Sequence, residues 1–317
     1  MSWFTFHFQD FSYSFLSILF EGIPFLLLGS IVSGMVDAFV PSETLAKILP
    51  KSGPLSIVLC GLLGGIFPMC ECGSVIVIRR FIKKGLPVSA AITYMLAAPI
   101  VNPVVALSTF AAFRGQSPWV MMSLRLTLGF LIAVAVGFVT RQIPLEKLLQ
   151  PNILAGLQAV RRTAFKITAA PEMSDLDLNV GGFFRRAMRA VQAAVTDFLD
   201  VAFFLVIGAA IASVFNTSVN QQIIQPLAAS TPASVLTMIG LAFGLAICST
   251  SDAFIAASFV SFPFVSKLAF LVFGAMFDVK LVFLYQLVFR RRYVLGLGIG
   301  LFVVVALICL RLSTLNL

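Results

Sequence analysis

Leu55–Phe67 (LSIVLCGLLGGIF) is an apolar run that stops at Pro68-Met69-Cys70-Glu71-Cys72-Gly73 and resumes as Ser74–Phe81 (SVIVIRRF). A second run behaves in the same way. Val88–Ala98 stops at Pro99-Ile100-Val101-Asn102-Pro103 and resumes as Val104–Phe113. None of these pieces alone has the ~20 apolar residues that a helix needs to cross a hydrocarbon core. Proline removes a backbone donor and fixes the chain, so each break leaves carbonyls free. Unwound backbone at membrane depth is tolerated only where it is buried in protein or lines a cavity. The two breaks therefore predict discontinuous helices around an internal site.

The flanking sequence sets this reading in a membrane. Phe11–Phe39 and Pro118–Thr140 are long enough to span. After a polar stretch the pattern returns as Phe198–Phe215, Ser234–Ile247, Ala253–Val260, Val265–Leu287 and Val294–Leu312. Breaks fall at Cys248-Ser249-Thr250-Ser251-Asp252 and at Asp278-Val279-Lys280. Of the 317 residues, 60% are apolar and only 11% are charged. The mean hydropathy is +1.04. A soluble globular body would lack polar residues for its surface, and disorder needs the opposite composition. Continuous rather than alternating apolar runs argue against a β-barrel. The expected fold is an all-α integral membrane protein, a polytopic bundle of about eight spans in two internal repeats.

The net charge of +9 sits in short clusters between apolar segments, so it reads as a topology signal and not as a nucleic-acid footprint. Residues 141–192 are polar and basic, which predicts a cytoplasmic linker between a first membrane repeat (1–140) and a second (193–317). Between the halves, Phe25-Leu26-Leu27-Leu28-Gly29 aligns with Phe204-Leu205-Val206-Ile207-Gly208, and Glu21 with Asp200. With small drifts in register, Cys70 falls on Cys248, Asn102 on Asp278, and Phe113-Arg114 on Phe289-Arg290. Repeated bundles with matching interruptions point to a transporter's central site. The basic cluster follows the second segment in one half (Arg79, Arg80) and the third in the other (Arg290–Arg292). Inverted repeats would place them so, given an odd number of crossings per half or one re-entrant hairpin in each. Parallel repeats of four crossings remain the alternative.

Cys70-Glu71-Cys72-Gly73 is the sharpest chemical feature. Thiolates prefer soft partners such as trivalent arsenic, Cu(I) or zinc. In a regular helix residues i and i+2 point about 200° apart, so chelation by Cys70 and Cys72 requires the unwound backbone. The same residues with Glu71 form a candidate metal site. Glu71, as an intramembrane carboxylate, must be neutral, paired or hydrated; its roles are proton coupling, cation binding or a structural pair with Arg79, Arg80 or Arg125. Glu21 and Asp200 read as snorkelling or helix-capping residues near membrane ends, with a functional role as the alternative. Cys248, Ser249, Ser251 and Asp252 offer a thiol, hydroxyls and a carboxylate, and equally cap a helix starting near Ala253. Pro99, Asn102 and Pro103 supply free carbonyls and an amide. Asp278 with Lys280 reads as an internal charge pair with possible cavity exposure. There is no Walker A loop and no Ser–His–acid set, and the one histidine, His7, reads as interfacial. No enzyme and no cofactor are expected.

Phe67–Val75 (FPMCECGSV), Ile78-Arg79-Arg80, Lys84-Gly85 and Leu96–Asn102-Pro103 (LAAPIVNP) resemble the predicted permeases of the ArsP / YraQ type. The resemblance runs over most of the chain. It implies a multi-pass permease of the cytoplasmic membrane and, by analogy with ArsP, efflux of a trivalent organoarsenical. Relatives often carry Cys-Ser-Cys-Gly where this chain has Cys70-Glu71-Cys72-Gly73; the added carboxylate points to a subgroup with a different cargo. The expected partners are the bilayer and a small-molecule or soft metal(loid) substrate, with a membrane partner or a second copy of the chain also open. A small-solute channel, a non-transporting subunit of a membrane complex and a thiol redox protein are the alternatives.

Overall fold

The computed structural model describes residues 8–39, 53–66, 69–83, 85–151, 153–155, 180–218 and 230–314. Pro68, His7, Lys84, the Lys47–Lys51 link and much of the basic linker lie outside the described residues. The first half runs α1 (Phe8–Phe39), α2 (Pro54–Ile66), α3 (Glu71–Lys83), α4 (Val88–Ala97), α5 (Pro103–Ala112) and α6 (Pro118–Arg141). The short α7 (Leu145–Leu148) follows. The second half runs α8 (Val180–Ser218), α9 (Thr231–Leu245), α10 (Asp252–Ser258), α11 (Phe264–Met276), α12 (Val279–Tyr285) and α13 (Arg291–Thr314). Among the described residues the only regular elements are helices, and the one isolated bridge joins Leu149 to Phe289. Among the described residues five stretches are long and apolar enough to cross a membrane, within α1, α6, α8, α11–α12 and α13. The all-α polytopic class expected from composition is the observed one.

Helix directions follow from who touches whom. Gly61 lies against Thr93 and Gly64 against Ala98, so α2 and α4 run parallel. Ser74 Oγ reaches the Met95 carbonyl at 3.4 Å, although a short link joins α3 to α4, so those two run antiparallel. The chain therefore reverses between α2 and α3, and Cys70-Glu71-Cys72 is the tip of a hairpin. The α4–α5 break behaves differently. Along α6, Gly137 meets Thr93, Gly129 meets Ile100, and Arg125 meets Thr109. The partner advances steadily through the break, so α4 and α5 form one interrupted, through-going helix.

The second half also holds a hairpin and an interrupted helix. Ser234 and Ser266 hydroxyls are 2.7 Å apart and Gly274 lies against Ala242, so α9 and α11 are parallel. The Ala246 carbonyl at the end of α9 reaches Lys280, and Phe259 beyond α10 comes back to Phe270. Thus α9 and α10 form a second hairpin, with its tip at 246–251. Gly298 packs on Phe277 and Phe302 on Phe273, so α11–α12 is again one interrupted helix lying antiparallel to α13. Among the described residues each half has three through-going helices and one reversing hairpin.

The long helices α1 and α8 pack antiparallel across the centre. Gly22 faces Leu205, Ser33 donates to Asp197 at 2.9 Å, and Asn216 donates to Ser14 at 3.1 Å. Two glycines let these helices approach the breaks. A Cβ on Gly29 would stand 2.9 Å from Gly73 Cα, and one on Gly208 would stand 2.7 Å from Lys280 Cα. Any side chain there would push a long helix off the turn it approaches. Outward faces of α1 and α8 carry Phe20, Ile23, Phe203 and Leu199, all exposed, as lipid-facing helices require.

Candidate functional site

The two hairpin tips meet in the interior. Glu71 opens α3, and its carboxylate bridges the halves. Oε1 lies 2.8 Å from Lys280 Nζ on α12. Oε2 accepts from Ser249 Oγ at 3.3 Å, with Cys248 Sγ 4.0 Å away. Lys280 Nζ also donates to the Ala246 carbonyl at 3.0 Å and lies 3.4 Å from Asp278 Oδ2. Ala246 has φ 49°, the left-handed region that a non-glycine residue rarely occupies, and this conformation ends α9. Glu71, Asp278 and Lys280 are all buried. Charges without water need partners, and these residues supply them to one another.

A small cavity adjoins this cluster. It is lined by Cys70, Glu71, Cys72 and Cys248 together with Glu21, Ala246 and Lys280. About 10 Å³ is open to the centre of a water molecule, the room one water requires. Cys70 Sγ accepts from the Gly73 amide at 3.3 Å, and Cys248 Sγ accepts from Thr250 Oγ1 at 3.5 Å. The three thiols are free. They come from tips far apart in sequence.

A second buried pair lies beside the first. Asp252 opens α10 as Glu71 opens α3, and its Oδ2 is 2.7 Å from the Arg125 guanidinium on α6. Arg125 also donates to Thr109 Oγ1 at 2.8 Å and to the Ser249 carbonyl at 3.0 Å. Ser251, just before Asp252, donates to Glu21. At one end of the bundle Arg79 meets Asp200 at 2.8 Å and Arg80 meets Asp197 at 2.8 Å, joining α3 to α8.

These placements sort the sequence-derived residues. Cys70, Glu71, Cys72, Gly73, Cys248 and Ser249 come together at the meeting tips. Ser251 and Asp252 sit behind the second tip, engaged by Glu21 and Arg125. Asp278 caps α12, accepting from Leu281 N at 2.7 Å, while it faces Lys280. Asn102 likewise caps α5, accepting from Val104 N at 2.9 Å. Pro99, Asn102 and Pro103 do not line the cavity, and Pro103 is exposed. Asn102 satisfies the backbone that the break exposes.

Two expectations are corrected. The partner of Glu71 is Lys280, not Arg79, Arg80 or Arg125; the arginines are taken by Asp200, Asp197 and Asp252. Glu21 and Asp200 hydrogen-bond across helices, to Ser251 and Arg79, in place of capping membrane ends. Among the described residues no group of three Cys, His, Asp or Glu side chains is arranged to hold a metal ion, and Glu71 turns to Lys280. Sequence reasoning left Arg125 and Lys280 as secondary residues. Their signal was available: lone cations inside long apolar segments need a buried partner.

A family described as a predicted permease, of the ArsP type, matches residues 7–313. The chain belongs to this permease family. The UPF0718 protein YcgR of Bacillus subtilis is 36% identical to it over 282 residues, covering 88% of this chain and 89% of YcgR. A Streptococcus mutans protein is 32% identical over 282 residues, covering 89% of this chain and 87% of its own; its name provisionally makes it a subunit of a two-component membrane permease complex. No solved structure matches this permease. It is a multi-pass membrane protein, and its bacterial relatives place it in the cell membrane.

Proposed function

We propose that this permease is a secondary transporter that exports a small thiophilic substrate, of the class of trivalent organoarsenicals or soft metal ions. The observation that carries the reading is the convergence of Cys70, Cys72 and Cys248, from two separate hairpin tips, on one cavity. Soft acceptors bind thiolates in preference to oxygen donors. The cavity has room for about one water. Such a cargo therefore enters only when the tips part, as alternating access requires.

The same reading assigns the halves. Residues 1–140 and 193–317 act as inverted repeats rocking about the tips, joined by the cytoplasmic linker 141–192. Three through-going helices per half support it, since an odd number inverts the second half relative to the first. The basic residues support it too. Arg79 and Arg80, the start of the linker and Arg290–Arg292 all fall at one end of the bundle, where Leu148 and Leu149 bond to Arg290. By the positive-inside rule that end is cytoplasmic.

The test is cargo binding in detergent. Wild type and a Cys70→Ser/Cys72→Ser/Cys248→Ser variant are challenged with phenylarsine oxide, methylarsenite, Zn²⁺, Cd²⁺ and Cu(I), reading thermal shift and stoichiometry. Stabilisation of wild type that vanishes in the variant supports the reading, and flux in vesicles then tests transport. No response to any thiophile in wild type sinks it. A second reading follows from the name of the Streptococcus mutans relative: the permease works as one of two membrane components. Flux that appears only when a second membrane protein is reconstituted with it would favour that reading.

A further inference from the structure

Lys280 stands where a helix least favours a cation. It is the second residue of α12, in the first turn, where the helix macrodipole is positive. Its side chain is buried, and three elements supply oxygen to its ammonium: Glu71 from the first hairpin tip at 2.8 Å, the Ala246 carbonyl from the end of α9 at 3.0 Å, and Asp278 from the cap of α12 at 3.4 Å. Two carboxylates and a carbonyl freed at an unwound helix end are the donors that coordinate small hard cations in transporters with broken helices.

One ammonium does not balance two carboxylates. Asp278 Oδ2 is fully buried and accepts no hydrogen bond, so the cage holds more acceptor capacity than the ammonium uses. Lysine is also the cation suited to leaving: a compact charge on a flexible stem, unlike the planar fork of arginine. The cavity beside Glu71 and Lys280 offers it a direction in which to move.

We propose that Glu71, Asp278 and the Ala246 carbonyl form a monovalent cation site, and that the Lys280 ammonium is its tethered occupant. A mobile alkali cation takes the place of the ammonium at one stage of the transport cycle. The exchange is one positive charge for another, so the charge of the cage is unchanged. The groups around Lys280 are Glu71 and Cys72 from α3, Cys248 from the second tip and Asp278 from its own segment, with Cys70 and Glu21 lining the same cavity. The proposal uses the central cavity of the permease reading but not the soft cargo, and its test contains no thiophile.

The experiment compares wild type, Lys280→Met, Lys280→Met/Glu71→Gln and Lys280→Arg in detergent. Thermal unfolding is followed in NaCl, KCl and choline chloride at equal ionic strength and fixed pH. Wild type is expected to unfold at the same temperature in all three salts. Lys280→Met is expected to melt lower in choline and to gain about 5 °C, saturably, in Na⁺ or K⁺. The double variant is expected to lose that gain. Equal melting of Lys280→Met in all three salts overturns the proposal, as does a gain that survives in the double variant. If Lys280→Met fails to fold even in NaCl while Lys280→Arg folds, the mobile cation does not replace the ammonium and the proposal falls. Loss of arsenical binding by the cysteine variant would leave these melting curves unchanged, so the two readings fail separately.

Discussion

The two hairpins end in the same way and are finished differently. Each returning helix opens with an acid, Glu71 on α3 and Asp252 on α10, and each acid pairs at 2.7–2.8 Å with a buried cation from the other half. Asp252 meets an arginine, which also grips Thr109 and the Ser249 carbonyl. Glu71 meets a lysine, beside a second carboxylate, three thiols and a cavity. Arginine offers several donors in a rigid fork, and lysine offers a point charge on a flexible stem. The difference separates a clamp that holds the second tip to α5 and α6 from a contact that can be exchanged.

The largest effect is expected from breaking the clamp. Arg125→Leu leaves Asp252 buried without its cation and should cost about 3–5 kcal/mol in unfolding free energy. Arg125→Leu/Asp252→Leu should recover most of that loss in the same denaturation assay, because a buried pair replaced by apolar groups is often neutral. If the double variant is as unstable as the single, the pair does more than balance charge. Glu71→Gln should cost less, about 1–3 kcal/mol, since Asp278 remains to face Lys280. It should nevertheless abolish flux, separating stability from transport as Arg125→Leu does not.

Smaller effects test the approach of the long helices. Gly208→Ala and Gly29→Ala should each destabilise by about 1–3 kcal/mol through overpacking against a break. Gly296→Ala, where a Cβ meets nothing within 4 Å, serves as the control and should be stabilising or neutral. Equal behaviour of all three would mean that the close approach is unimportant. The smallest change belongs to the caps. Asn102→Ala should cost about 1 kcal/mol, the worth of an N-cap. Asp278→Ala should cost more, because it also removes a charge facing Lys280. Equal losses in thermal melts would deny Asp278 a role beyond capping.

Composition made the membrane class legible, and the Pro, Gly and polar interruptions marked all four breaks. What the sequence did not disclose was direction. Leu55–Phe81 and Val88–Phe113 look alike as interrupted apolar runs, yet the first reverses and the second continues. That distinction lies in packing between α2 and α4, where Gly61 and Gly64 bring two helices together side by side. The site was legible in part for the same reason. Cys70, Glu71 and Cys248 announced themselves as polar residues in apolar surroundings. The pairing of Glu71 with Lys280 spans 209 positions, and local spacing carries no information about it. Arg125 is a lone cation in a long span, so its need for a partner was readable while the identity of that partner, Asp252, was not.

The tips of two hairpins meet and bring thiols from both halves to one cavity. This convergence is tested most directly by cross-linking. A protease site is placed within residues 156–179, Cys60 and Cys309 are changed to Ser, and membranes are treated with dibromobimane before cleavage. The two halves are expected to stay joined on a denaturing gel, the link to be lost in Cys248→Ser, and phenylarsine oxide added first to prevent it. Halves that separate after treatment, with all three cysteines present and each reactive toward a monofunctional maleimide, would contradict the convergence.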